Sequence, residues 1–174
     1  VLQQVRCFKL SIEFPGCHIP LDHESLVITL MNATETNTLL NRLRIVHSRS
    51  LVAYLRYAAP WIRKDSHGVV DTLETMADEV QRTADRLGEM ILSGGGEILP
   101  GEFPLEFTGF HDLSLDYLLG VLIQRQENDI ATIQNCIEPL TIAPLAQALA
   151  EESLGAAKGN LDSLQELVAS QSDA

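Results

Sequence analysis

Residues 94–112 cannot form an α-helix, and the chain on either side of them can scarcely form anything else. The segment opens on Gly94-Gly95-Gly96 and continues through Pro100, Gly101, Pro104 and Gly109. Gly94 is expected to close the preceding helix in the left-handed conformation, and the prolines lack the N–H that a helix interior requires. Yet Ile98, Leu99, Phe103, Leu105, Phe107 and Phe110 are too apolar for a free linker. The segment should therefore lie extended against the protein and bury those side chains.

The flanking stretches carry helical periods. A first helix is expected over about 37–59, capped by Asn37 or Thr38 and ended by Pro60. Leu39, Leu43, Val46, Ser50, Tyr54 and Tyr57 recur at spacings of three and four, so they share a face. A second helix over about 66–93 turns Leu73, Met76, Val80, Thr83, Leu87, Met90 and Ile91 inward and Asp71, Glu74, Asp78, Arg82, Asp85 and Glu89 outward. A third, about 113–137, carries Leu115, Leu118, Leu122, Gln126, Ile130, Ile133 and Ile137 inward. A fourth starts near Pro144, a favoured first-turn residue, and runs to about 169 with Leu149, Leu154, Ala157, Leu161, Leu164 and Val168 inward.

The links between the first and second helices and between the third and fourth are short, which makes antiparallel neighbours. The middle link is not. A helix of about 27 residues is roughly 40 Å long, and about 19 extended residues can run that full length. The second and third helices would then point the same way. The expected fold class is all-α, a four-helix bundle with one long crossover, the topology of ferritin-like bundles.

Residues 1–30 read differently. They show no helical period, and Pro15-Gly16 and Pro20 break any long element. They are expected to form an extension outside a core domain spanning 31–174, with a short strand over "CFKLSIEF". Cys17, His18, Asp22 and His23 are potential metal ligands there, but their spacing matches no standard zinc site.

Composition narrows the function classes. Aromatics are only 5% of a chain that is 45% hydrophobic, so aliphatic side chains build the core, which suits helices. The formal net charge of -12 disfavours nonspecific nucleic-acid binding and docking on anionic membranes. Three widely spaced cysteines, Cys7, Cys17 and Cys136, are not a disulfide framework. No apolar stretch reaches the roughly 18–20 residues of a membrane span. Arg6, Lys9, Glu13, Asp22 and Glu24 interrupt the first thirty residues, against a signal peptide. The expected setting is the cytoplasm.

Three stretches carry a resemblance. "LLNRLRIVHSRSLVAYLRYAAPW" resembles the first helix of bacterioferritins and starvation-induced ferritin-like proteins, "DEVQRTADRLGEMILSGGG" their second helix, and "AAKGNLDSLQEL" their last. The likeness covers about 36–170 and rests mostly on apolar spacing and turn chemistry. That family binds two irons through a Glu on the first and third helices and a Glu-x-x-His on the second and fourth. Carried over by position, the first-helix Glu falls on Ser50, with the Tyr seven residues later kept as Tyr57. The second-helix pair falls on Val80 and Thr83, the third-helix Glu near Gln126, and the fourth-helix pair on Ala157 and Asn160. Independently of that alignment, the residues three before His18, His23, His47, His67 and His111 are Pro15, Pro20, Arg44, Lys64 and Thr108, so the chain contains no Glu-x-x-His.

Val80 and Ala157 carry no donor at all, and Ser, Thr, Gln and Asn are neutral and would not offset a di-iron charge in a dry core. The resemblance thus implies a ferritin-like protein with a degenerate metal site, non-catalytic and without a cofactor, in a structural, interaction or small-ligand-binding role. Subunits of the family commonly pair along their first two helices and the crossover, which implies a homodimer or higher homo-oligomer. The alternative is an iron-binding or iron-storage protein with rewired ligands drawn from His47, Tyr54, Tyr57, Gln126 and Glu127. The ordinary reading of His47 is a partly exposed histidine bonded to a neighbour. Asp78-Glu79 and Glu151-Glu152 fall mostly on polar faces and read as solvated surface. "SGGGE" follows a helix and lacks the Lys and Ser/Thr of a phosphate loop.

Overall fold

The computed structural model describes residues 23–58, 60–61, 67–111 and 113–172. It is all-α, with helices α1 (His23–Ser48), α2 (Leu51–Leu55), α3 (His67–Ser93), α4 (Leu115–Ile137) and α5 (Pro144–Ser172). The expected strand over "CFKLSIEF" and the side chains of Cys17, His18, Asp22 and His23 lie outside what is described. Among the described residues the only β feature is an isolated parallel bridge between Trp61 and Ser114, and no helix is long and apolar enough to cross a membrane.

Two apolar clusters define how the helices run. One joins Leu51, Val52 and Leu55 of α2 to Val69 and Met76 from early α3, Leu115, Leu118 and Leu122 from early α4, and Leu164 from late α5. The other joins Leu40 and Leu43 of α1 to Leu87 and Ile91 from late α3, Ile130, Ile133 and Cys136 from late α4, and Leu149 and Ala150 from early α5. Late meets late and early meets early only if α3 and α4 are parallel. By the same reasoning α1 is antiparallel to α3, and α5 to α4. Each fully buried Leu stabilises this packing by roughly 1.5–3 kcal/mol.

The first helix differs from expectation at both ends. It begins at His23, inside the segment read as non-helical, and it breaks after Ser48 rather than running to 59. Ser50 is extended (φ -64°, ψ 161°) and caps α2, its Oγ accepting from the Ala53 N–H at 3.3 Å. A serine hydroxyl competes with the helix for backbone donors, so it starts helices better than it continues them. Arg49, at the break, turns its Nε to the carbonyls of Pro100 (3.1 Å) and Gly101 (3.2 Å).

The crossover keeps step with the first helix along its length. Asn41 donates to the Glu97 carbonyl at 2.9 Å and accepts from the Leu99 N–H at 2.8 Å. Arg44 donates to the Leu99 carbonyl at 3.2 Å. Further along, the Tyr54 ring packs on Phe103 and Phe107 at centroid distances of 5.2 and 5.4 Å. The backbone then meets Trp61, whose carbonyl accepts from the Leu115 N–H at 3.0 Å.

Three details of the crossover depart from expectation. Leu105–Phe110 forms a 3-10 helix, the tighter turn that tolerates the glycine and short run which exclude an α-helix. Phe107 is buried, but Leu105 and Leu99 are 85% and 51% exposed, because a segment lying on a helix presents one side to water. The left-handed residue that closes α3 is Gly95 (φ 72°), not Gly94, which still continues the helical hydrogen bonding to Met90.

Candidate functional site

Between the two apolar clusters lies a layer of buried polar side chains. His47 and Ser48 end α1, Ser50 opens α2, Gln126 sits mid-α4 and Asn160 mid-α5, all buried. Val80 of α3 is buried as well and belongs to neither cluster. Ser50, Val80, Gln126, Ala157 and Asn160 are thus buried where the resemblance sets metal ligands, and Thr83 is half-buried beside them.

Three polar groups at this level, on Ser50, Thr83 and Gln126, are committed to the backbone. Gln126 Nε2 donates to the Ala157 carbonyl at 2.9 Å, a bond that ties α4 to α5. Thr83 Oγ1 donates to the Glu79 carbonyl at 3.0 Å. Ser50 Oγ is spent on its cap. Val80 and Ala157 offer no donor atom. This set does not fit a di-iron centre, which needs several carboxylates to offset its charge. Among the described residues, no group of three or more His, Cys, Asp or Glu side chains is placed to hold a metal ion.

The alternative ligands do not converge. Tyr54 is half-buried and its hydroxyl meets His111 Nε2 on the crossover side. Tyr57 lies beyond α2 and is 78% exposed, because the break at Ser50 removes it from the shared face the spacing predicted. Glu127 is exposed, one residue off the inward stripe. Gln126 is committed to Ala157. Of the five, only Gln126 and His47 are buried. His47 is not the partly exposed, bonded histidine expected: it is 4% exposed, and neither its Nε2 nor the neighbouring Ser48 Oγ has a hydrogen-bond partner. Burial pushes its pKa down to about 4, so the ring is neutral at neutral pH.

Two features were not legible from spacing. Asp129, one turn past Arg125 on α4, is pushed up to about 7 by burial, against the opposing pull of Arg125. Helical spacing alone does not separate it from the polar positions around it. The other is a groove of about 530 Å³ between α3 and α5, lined by Glu79, Arg82, Thr83 and Arg86 on one side and by Glu152, Ala156, Gly159, Asn160 and Ser163 on the other. Glu152, read from the sequence as solvated surface, is exposed and closes one end of it by a paired contact with Arg86. A separate apolar pocket of about 190 Å³, bordered by Leu55, Val70, Leu73 and Leu115, sits near the other end of α3.

Comparison with known proteins finds no matching family model, no matching curated protein and no matching solved structure.

Proposed function

We propose that the chain is a ferritin-like four-helix bundle whose metal centre has been replaced by neutral side chains. It acts without catalysis, in a structural, interaction or small-ligand-binding role, as a cytoplasmic homo-oligomer. The observation that carries this reading is the buried layer of Ser50, Val80, Gln126, Ala157 and Asn160. These residues occupy the family's ligand positions without a carboxylate or imidazole. The parallel α3 and α4, joined by a crossover lying along α1, support the bundle topology.

The test is metal loading. Purified protein exposed to Fe(II) in air and then desalted should retain far less than one iron per chain. It should also oxidise Fe(II) no faster than buffer. Stoichiometric iron with ferroxidase activity would falsify the proposal. A second reading, iron held by rewired ligands, draws on one observation, the buried and unpartnered Nε2 of His47. Under that reading His47→Ala would abolish retained iron. Light scattering on the purified chain tests the proposed oligomer.

A further inference from the structure

We propose that the α3–α5 groove binds a small amino-acid-like zwitterion. The inference deepens the small-ligand reading above and rests on it. Its floor is Asn160, only 5% exposed. The Asn160 amide has no hydrogen-bond partner among the described residues, yet its atoms are not among the sealed, unpartnered ones. It therefore opens on the groove. The opening exists because α5 presents Ala156 and Gly159 there, and nothing lies within 4 Å of where a Cβ on Gly159 would stand. A buried amide facing a gap left by small residues is a hydrogen-bonding floor with room above it. The groove volume of about 530 Å³ suits a small molecule.

The walls select the charge. Arg86 and Glu152 satisfy each other, with Arg86 Nη2 donating to Glu152 Oε2 at 2.7 Å. Arg82 spends only its Nε, on the Asp78 carbonyl at 3.2 Å, leaving both terminal nitrogens without a partner among the described residues. The Glu79 carboxylate, one turn earlier on the same helix, likewise has no partner among them, and the residue is half-buried. A simple anion on Arg82 would also feel Glu79, and a simple cation on Glu79 would feel Arg82. A ligand carrying both charges uses both: its carboxylate takes the Arg82 fork, its ammonium takes Glu79, and a further polar group reaches the Asn160 amide.

The experiment is a titration of ¹⁵N-labelled protein with L-glutamine, followed by amide NMR. Sodium acetate and methylammonium chloride serve as single-charge probes. Glutamine should give saturable shifts at the Asn160 side-chain NH₂ and the Gly159 N–H. Both should weaken at least about tenfold, or about 1.4 kcal/mol, in Arg82→Gln and in Glu79→Gln. Either single-charge probe should bind at least about tenfold more weakly than glutamine. Shifts that fail to saturate, that survive both substitutions, or that acetate reproduces at equal affinity would overturn the proposal. Iron content measured on the same sample keeps the two readings apart: an iron-free protein with a silent groove sinks this inference and leaves the absence of a metal centre standing.

Discussion

His47 and Asp129 should cancel each other in the pH dependence of folding, and removing either one should expose the other. Burial lowers His47 from 6.5 to about 4 and raises Asp129 from 3.8 to about 7. Between about pH 4.5 and pH 6 the unfolded chain protonates the histidine and ionises the aspartate. The folded chain does the reverse. Each state then holds one proton on the pair, so the pair contributes no slope. The separate contributions have opposite signs. A depressed histidine pKa gives stability that is full above 6.5 and lost as pH falls towards about 4. A raised carboxyl pKa gives stability that is full below 3.8 and lost as pH rises through about 7. Each contribution is worth roughly 3 kcal/mol over its whole window, since moving a pKa by one pH unit takes about 1.4 kcal/mol and residual exposure reduces the sum. In Asp129→Asn, stability should rise by about 1.5–2 kcal/mol between about pH 4.5 and pH 6, measured relative to wild type. In His47→Gln it should fall by a similar amount. The assay is urea unfolding followed by far-UV circular dichroism across that range. With a urea dependence of about 2 kcal/mol per molar, each change moves the midpoint by just under about 1 M, in opposite directions. Other titrating groups drop out of the difference from wild type. Parallel midpoint-versus-pH curves for all three proteins would refute the burial argument for both residues.

Two further outcomes test the crossover and its anchors. Asn41→Leu removes a donor and an acceptor that hold Glu97 and Leu99. It should cost about 2 kcal/mol in urea unfolding and speed hydrogen exchange at the Leu99 amide, and a loss below about 0.5 kcal/mol would contradict the anchoring role. Gly101 has φ 62° and a Cβ there would meet Ile45 at 2.8 Å, whereas Gly120 lies in α4 with open space around it. In thermal unfolding Gly101→Ala should therefore lower stability and Gly120→Ala raise it, the latter by up to about 1 kcal/mol of helix propensity. The same sign for both changes would discredit the local geometry.

Helices α3, α4 and α5 were legible in the sequence nearly to the residue. The reason is physical: an apolar stripe at helical spacing, bounded by Gly, Pro or Ser, has few other ways to bury itself. Length alone also allowed residues 94–112 to span the helices. The first helix was not legible in the same way, because Ser50 fits both a continuing stripe and a cap, and sequence spacing does not say which. The contacts of Arg49 with Pro100 and Gly101 accompany the break, and they join residues some fifty positions apart. That choice carried Tyr57 out of the interior and left His47 sealed within it.

The candidate site divides in the same way. That Ser50, Val80, Thr83, Gln126, Ala157 and Asn160 carry neither a carboxylate nor an imidazole was visible from residue types alone, because no folding can change a side chain's chemistry. Which of these residues are buried, bonded or open to solvent depends on facing helices. Gln126 found the Ala157 carbonyl on α5, and Asn160 found a gap left by Gly159. By itself the sequence determined the all-helical class, the reach of the crossover and the uncharged residue types at mid-height, since these follow from local pattern and composition. Only the tertiary structure decided where the first helix breaks, which polar groups are stranded and where a groove opens, since those follow from contacts between segments far apart in the chain.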